Sequence, residues 1–206
     1  MSAEVVSTAA SDREAIRLQS GDALVVVDVQ NDFLPGGALA IAGADQILMA
    51  VNHSIVEFRR RGLPVFATRD WHPPDHCSFR AYGGPWPPHC VAHTRGAQFA
   101  PGLQLPSDAR IVSKATAREA DAYSGFEGTG LLQQLRELGC SRVFLAGLAT
   151  DYCVRATALD ALGAGLAAIV LTDAVRAVDA QAGDGERALT AMTQRGVRLS
   201  TTQELR

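Results

Sequence analysis

Val143-Phe-Leu-Ala-Gly-Leu-Ala-Thr-Asp-Tyr-Cys153-Val-Arg-Ala-Thr-Ala158 changes character twice within one short stretch. The apolar run from Val143 to Leu145 reads as the core of a buried strand, Arg142 to Ala146, and Gly147 to Asp151 reads as a tight turn. From Tyr152 the pattern is Ala-rich and helical. Cys153 therefore falls in the first turn of a helix, where unpaired N–H groups and the positive dipole end favour an anion. A thiol so placed is biased toward the reactive thiolate, although most free cysteines are simply small buried apolar residues.

Working outward, strand-like and helical segments alternate along the whole chain. Ala23-Leu-Val-Val-Val-Asp28-Val is a β-branched run ending in an acid, the pattern of a strand buried on both faces. Gln30 to Gly43 holds Pro35, Gly36 and Gly37 and reads as a loop. Ile47, Leu48, Val51, Ile55 and Phe58 follow at helical spacing, with Arg59, Arg60 and Arg61 before a Gly62 stop. A second strand runs from Leu63 to about Trp71 and a third from Ala109 to Lys114. Gly128 to Leu138 is an amphipathic helix closed by Gly139. Ala167 to Leu171 is strand five, Asp184 to Arg195 a last helix, and Val197 to Ser200 strand six. Such alternation implies right-handed βαβ units. The fold class is therefore α/β: three layers, with a largely parallel six-stranded sheet covered by helices on both faces.

Residues 1 to about 20 are polar and Ala/Ser-rich and read as an N-terminal tail, with Ser11-Asp-Arg-Glu14 able to cap a short helix. Residues 21–206 form a single domain, since neither a repeat nor a linker interrupts them. The 206 residues are 47% apolar and carry a net charge of −3, which gives no case for nucleic acid or an anionic membrane as partner. No run is long enough to span a bilayer, and the layout of a signal peptide is missing. The expected location is the cytoplasm, where Cys77, Cys90, Cys140 and Cys153 stay reduced. None of them forms a C-x-x-C pair. No heptad or interface pattern speaks for or against a homo-oligomer.

Sites in open parallel sheets form outside the carboxyl ends of the strands. Four successive strand ends here carry Asp28, Asp70 with His72, Lys114, and Cys153. Asp70 and His72 lie two apart, so extended backbone points both to one face, where they can share a metal ion. His89, in the long Pro/Gly/His-rich segment from His72 to about Pro106, is a third candidate ligand. Asp28, Lys114 and Cys153 can form a nucleophile set: carboxylate as base, lysine as stabilising cation. Spacing alone is equally compatible with a histidine base. Gly163-Ala-Gly165 fits the loose dinucleotide fingerprint but follows a helix and precedes a strand, the reverse of the order that binds a pyrophosphate.

Through these residues the chain resembles the isochorismatase-like cysteine hydrolases, in particular their nicotinamidases (pyrazinamidases). The resemblance runs from about Ala23 to Leu199 through Val27-Asp28-Val-Gln-Asn-Asp-Phe33, Arg69-Asp70-Trp-His72-Pro, Gly84-Pro-Trp86-Pro-Pro-His89-Cys-Val91, Ser113-Lys114, Asp121-Ala-Tyr123-Ser-Gly-Phe126 and Gly147-Leu-Ala149-Thr-Asp-Tyr-Cys153-Val. It implies Cys153 as nucleophile, Asp28 as general acid/base and Lys114 as its charged partner. It implies one divalent metal on Asp70, His72 and His89, zinc first with iron or manganese as alternatives, meeting the pyridine nitrogen of a nicotinamide substrate. Some relatives recruit a further ligand soon after the D-x-H pair, and His76 is the candidate here. Phe33 and Trp86 would sandwich the substrate ring, with Tyr123 nearby. A cis peptide at Leu148–Ala149 would aim the backbone N–H groups of Ala149 and Cys153 at an oxyanion. The rival is a cysteine amidohydrolase for another small amide or ureido compound, whose relatives generally lack the D-x-H…H set. A non-catalytic binding protein is the reading from outside enzymology.

Overall fold

Strand β1 (Asp22–Val27) is buried at every position, as its unbroken apolar run requires. Its residues alternate between two cores: Leu24 and Val26 pack with one hydrophobic cluster, Ala23, Val25 and Val27 with the other. That alternation is the pleat of a strand covered on both sides. The computed structural model describes residues 15–206, so the Ser11–Glu14 cap lies outside the described residues. Strands β2 (Val65–Asp70), β3 (Arg110–Lys114), β4 (Arg142–Leu148), β5 (Ala167–Arg176) and β6 (Arg198–Ser200) join β1 in one sheet of order β3-β2-β1-β4-β5-β6. Every neighbouring pair is parallel.

Helix α1 (Leu48–Arg60) covers one face through Val51, Ile55 and Phe58. Phe58 meets Phe144 of β4 edge-on, with ring centroids 5.1 Å apart, so truncating it to alanine would cost about 3–5 kcal/mol. Helices α2 (Leu131–Glu137), α3 (Arg155–Gly163) and α4 (Asp184–Gln194) bring Leu131, Leu135, Ala158, Ala161 and Met192 to the other face. The three-layer α/β expectation holds. Among the described residues, no helix is long and apolar enough to cross a membrane, and the four cysteines are free thiols.

Chain order reverses between β1 and β4, which opens a crevice at their carboxyl ends. The two strands approach there so closely that a Cβ on Gly147 would stand 2.1 Å from the Val27 carbonyl oxygen. Gly147 also has φ +118°, a region that favours glycine.

β4 runs two residues into the expected turn, through Leu148, and the largest departures from expectation lie in β5 and at the N-terminal tail. β5 runs five residues beyond Leu171, where Thr172 and Asp173 tie the strand to its neighbours: Thr172 donates to the Ser200 carbonyl, and Asp173 accepts from the Thr202 N–H and hydroxyl. Ile16 and Leu18, expected in the tail, are buried. They are tied by backbone hydrogen bonds to Glu204 and Arg206, so the first described residues lie beside the last.

Candidate active site

Lys114 ends β3 at the sheet's carboxyl side and is 1% exposed. Its Nζ contacts four groups: Asp70 Oδ1, Asp28 Oδ2 at 3.1 Å, the Ala122 carbonyl at 3.1 Å and Cys153 Sγ at 3.4 Å. One ammonium thus sits among two carboxylates and a thiol, all buried. Such a cluster persists only if each charge is compensated.

The two carboxyls are driven apart. Burial pushes Asp28 above its ordinary range, even against the pull of Lys114. Asp70 feels the same burial, but Lys114 and then His72 overcome it, and its carboxyl falls well below the usual range. Lys114, which burial alone would lower, is held well above its normal value by Asp28 and Asp70. Two carboxyls whose environments separate them are suited to different tasks: Asp28 holds a proton more readily than an ordinary carboxyl, and Asp70 stays an anion. Asp28 stands just past β1 at φ +48°. Its Oδ1 accepts from the Thr68 hydroxyl at 2.7 Å, while Oδ2 is ion-paired with the Lys114 ammonium at 3.1 Å.

Cys153 departs from expectation in its local structure. Thr150–Val154 form one π-helical turn before α3 begins, and wide turns of this kind are frequent at functional sites. Nor does the helix start make the thiol acidic. Burial pushes Cys153 well above its ordinary value, with Lys114 opposing and Asp28 adding to the rise. The resting group is therefore a thiol that needs a base. Ligand atoms of Asp28, Asp70 and Cys153 all lie within 4.8 Å of one another, which puts both carboxyls within reach of the thiol. The Leu148–Ala149 peptide is cis, as the resemblance implied.

Asp70, His72 and His89 converge beside the thiol, with one ligand atom from each within 4.8 Å of the others and all three side chains buried. His72 Nδ1 faces the Ala115 carbonyl at 3.3 Å and His89 Nδ1 faces the Pro87 carbonyl at 2.8 Å. A carbonyl only accepts, so both Nδ1 atoms donate, which leaves the Nε2 atoms as the ones available to a ligand. His72 Nε2 lies 3.7 Å from Asp70 Oδ2 and has no hydrogen-bond partner. Burial lowers His89, which keeps it neutral. A buried orphan nitrogen beside a second neutral imidazole and a fixed carboxylate fits a divalent cation.

His76 is not brought into this group. Its Nδ1 meets the Ser78 hydroxyl at 2.7 Å, its Nε2 meets the Ala120 carbonyl at 3.2 Å, and its ring lies against His72 at 4.3 Å. With both nitrogens engaged, it supports the His72 ring from behind. Phe79, which nothing in the sequence singled out, is fully buried and packs its ring against His72, His76 and His89.

Over the thiol lies a narrow slot lined by Phe33, Trp86, Tyr123, Ala149 and Cys153, as expected, and also by Leu39, Ile41, Tyr152 and Val178. Trp86 donates its indole N–H to the Tyr123 hydroxyl at 3.0 Å, and Tyr152 packs against both rings. Tyr152 was readable as the neighbour of Cys153. Val178 carried no local signal. It is set by the carboxylate of buried Asp151, which accepts from the N–H groups of Val178 and Asp179.

Comparison with known proteins bears on this geometry. Residues 22–204 match the isochorismatase domain. The nicotinamidase of Acinetobacter baylyi is 42% identical over 179 residues, covering 76% of this chain and 82% of that protein. The nicotinamidase/pyrazinamidase of Mycobacterium tuberculosis is 43% identical over 166 residues, 77% of this chain and 88% of its own. The crystal structure of the Pyrococcus horikoshii pyrazinamidase in complex with zinc superposes with a TM-score of 0.85 at 51% identity, covering 88% of this chain and 99% of that one. A buried cysteine, carboxylate and lysine at the β1/β4 crevice, on this fold and with these relatives, lead to one assignment: the chain belongs to the isochorismatase family and stands with its nicotinamidase and pyrazinamidase members.

Proposed function

We propose that the protein is a metal-dependent nicotinamidase, converting nicotinamide, and pyrazinamide with it, to the carboxylic acid and ammonia. One observation carries the reading: the Asp28–Lys114–Cys153 cluster and the Asp70–His72–His89 group open into the same aromatic slot. A flat heteroaromatic amide has one end for each. The ring lies between Phe33 and Trp86 with Tyr123 at its edge, and the carboxamide carbon faces Cys153. Asp70, His72 and His89 would hold a divalent ion, zinc foremost, which would supply a Lewis acid for the ring nitrogen.

The chain's own groups carry the steps. Asp28 takes the Cys153 proton as sulfur bonds to the carboxamide carbon, and Lys114 stabilises the shared negative charge. The N–H groups of Ala149 and Cys153 hold the resulting oxyanion; each such donor contributes roughly 3–4 kcal/mol. Asp28 returns the proton to the amide nitrogen, the C–N bond breaks and ammonia leaves a thioester. Asp28 then deprotonates a water, which attacks the thioester and restores the thiol. The test is ammonia release from nicotinamide before and after a chelator, with metals restored one at a time. The reading expects loss on chelation and recovery with zinc, iron or manganese. Full activity after complete metal removal, with nicotinamide ignored in favour of a ureido compound, would instead support the rival amidohydrolase.

A further inference from the structure

The β1–β2 ladder ends early. Asp28 donates its N–H to the Thr68 carbonyl, and the chain then turns away through the left-handed conformation of Asp28. Asp70, two residues further along β2, has no β1 backbone opposite it. The carboxamide of Gln30 takes that place. Its Oε1 accepts the Asp70 N–H at 2.8 Å, and its Nε2 donates to the Asp70 carbonyl at 2.8 Å and to the Ala97 carbonyl at 3.0 Å. Gln30 is wholly buried, so all three of these bonds lie out of water, where an unmade one is costly.

Two residues on, Asp32 does the equivalent for the other ligand-bearing segment. Its Oδ2 accepts the N–H of Cys90, the residue after His89, at 2.7 Å, and its Oδ1 accepts the Ala38 N–H at 3.2 Å. Asn31 between them donates to the Arg95 carbonyl at 2.8 Å. The fit is close: a Cβ on Gly96 would stand 2.1 Å from the Asp32 carboxylate. Neither Gln30 nor Asp32 contributes an atom to the three-ligand group or lines the slot.

We propose that Gln30 and Asp32 are positioning residues that act as one clamp, Gln30 fixing the backbone of Asp70 and Asp32 that of His89, so that ligands from distant segments meet at ion-binding distance. The proposal rests on the metal reading above, and its test separates the two. Zinc affinity is measured by competition with a chromogenic chelator, and backbone amide exchange is followed in peptides covering residues 69–72 and 89–92. Gln30→Met, similar in volume but without polar groups, is expected to weaken zinc 10–100-fold, the usual effect of losing a group that supports a ligand. Its exchange should rise at 69–72. Asp32→Ala should weaken zinc comparably with faster exchange at 89–92, and Asp32→Asn, which keeps an acceptor oxygen, should recover most of the affinity. Gln30→Glu keeps the acceptor for the Asp70 N–H but sets a carboxylate oxygen against two carbonyls. It should lose zinc as Gln30→Met does, and it replaces that variant if Gln30→Met does not fold. Zinc affinities within twofold of wild type, or exchange accelerated uniformly across the chain, would overturn the clamp. If wild type and Asp70→Ala bind zinc equally weakly, the metal reading fails, and the exchange pattern alone decides the clamp: local acceleration sustains it, none removes it.

Discussion

At the N-terminal ends of the strands Asp22 is 1% exposed and both its oxygens are taken: Arg142 donates to each at 2.6 Å, and the Gln19 N–H adds a third bond. At the C-terminal ends Asp28 is just as buried, yet the Lys114 ammonium beside its Oδ2 is shared with Asp70 and Cys153. The space runs the other way. The cleft at the Asp22 end holds about 490 Å³, whereas the slot over Cys153 holds about 40 Å³. Of these two ends, reactivity gathers where burial and a shared cation coincide, not at the roomier cleft. A completed pair such as Asp22–Arg142 stabilises; one whose cation is shared has a proton to move.

That contrast breaks or sharpens under substitution. Asp28→Asn should lower nicotinamide turnover by about 10³-fold or more, since the thiol loses its base, while circular dichroism shows the fold intact. Asp22→Ala should do the reverse, costing about 3 kcal/mol in chemical denaturation because it strands the Arg142 cation, with kcat/KM within twofold of wild type. An activity loss at Asp22 or a purely structural loss at Asp28 would erase the distinction. The smallest effect concerns the thiol. Burial raises its pKa, so less thiolate is present at neutral pH than in a free cysteine of pKa about 8.5. Iodoacetamide should therefore alkylate Cys153 more slowly than free cysteine, with a rate climbing about tenfold per pH unit through pH 9 and no plateau near neutrality. Lys114→Met removes the one group that lowers the thiol pKa and should slow alkylation by a further few-fold at fixed pH. A plateau below pH 7 would show that the helix start outweighs burial.

The fold was legible because its signals are local: apolar runs of strand length, helical spacing with glycine stops, and their alternation. The Asp28, Asp70, Lys114 and Cys153 positions were legible for a topological reason, since parallel strands deliver their carboxyl ends to one edge. The state of Cys153 was not. Its position suggests a thiolate, whereas its protonation depends on burial and three neighbours from other strands. Phe79 and Val178 were invisible because a side chain that braces a ring or a wall from a distant loop leaves no spacing to read. His76 was visible as a type of residue, but only the fold reveals that Ser78 and Ala120 occupy its nitrogens.

Mass spectrometry of the metal-loaded protein, acid-quenched during turnover of nicotinamide, tests the central claim most directly. The expected result is the nicotinoyl acyl group on the peptide bearing Cys153, and neither adduct nor ammonia release in Cys153→Ala. Sustained ammonia release by Cys153→Ala, with no acyl group trapped on wild type, would contradict it.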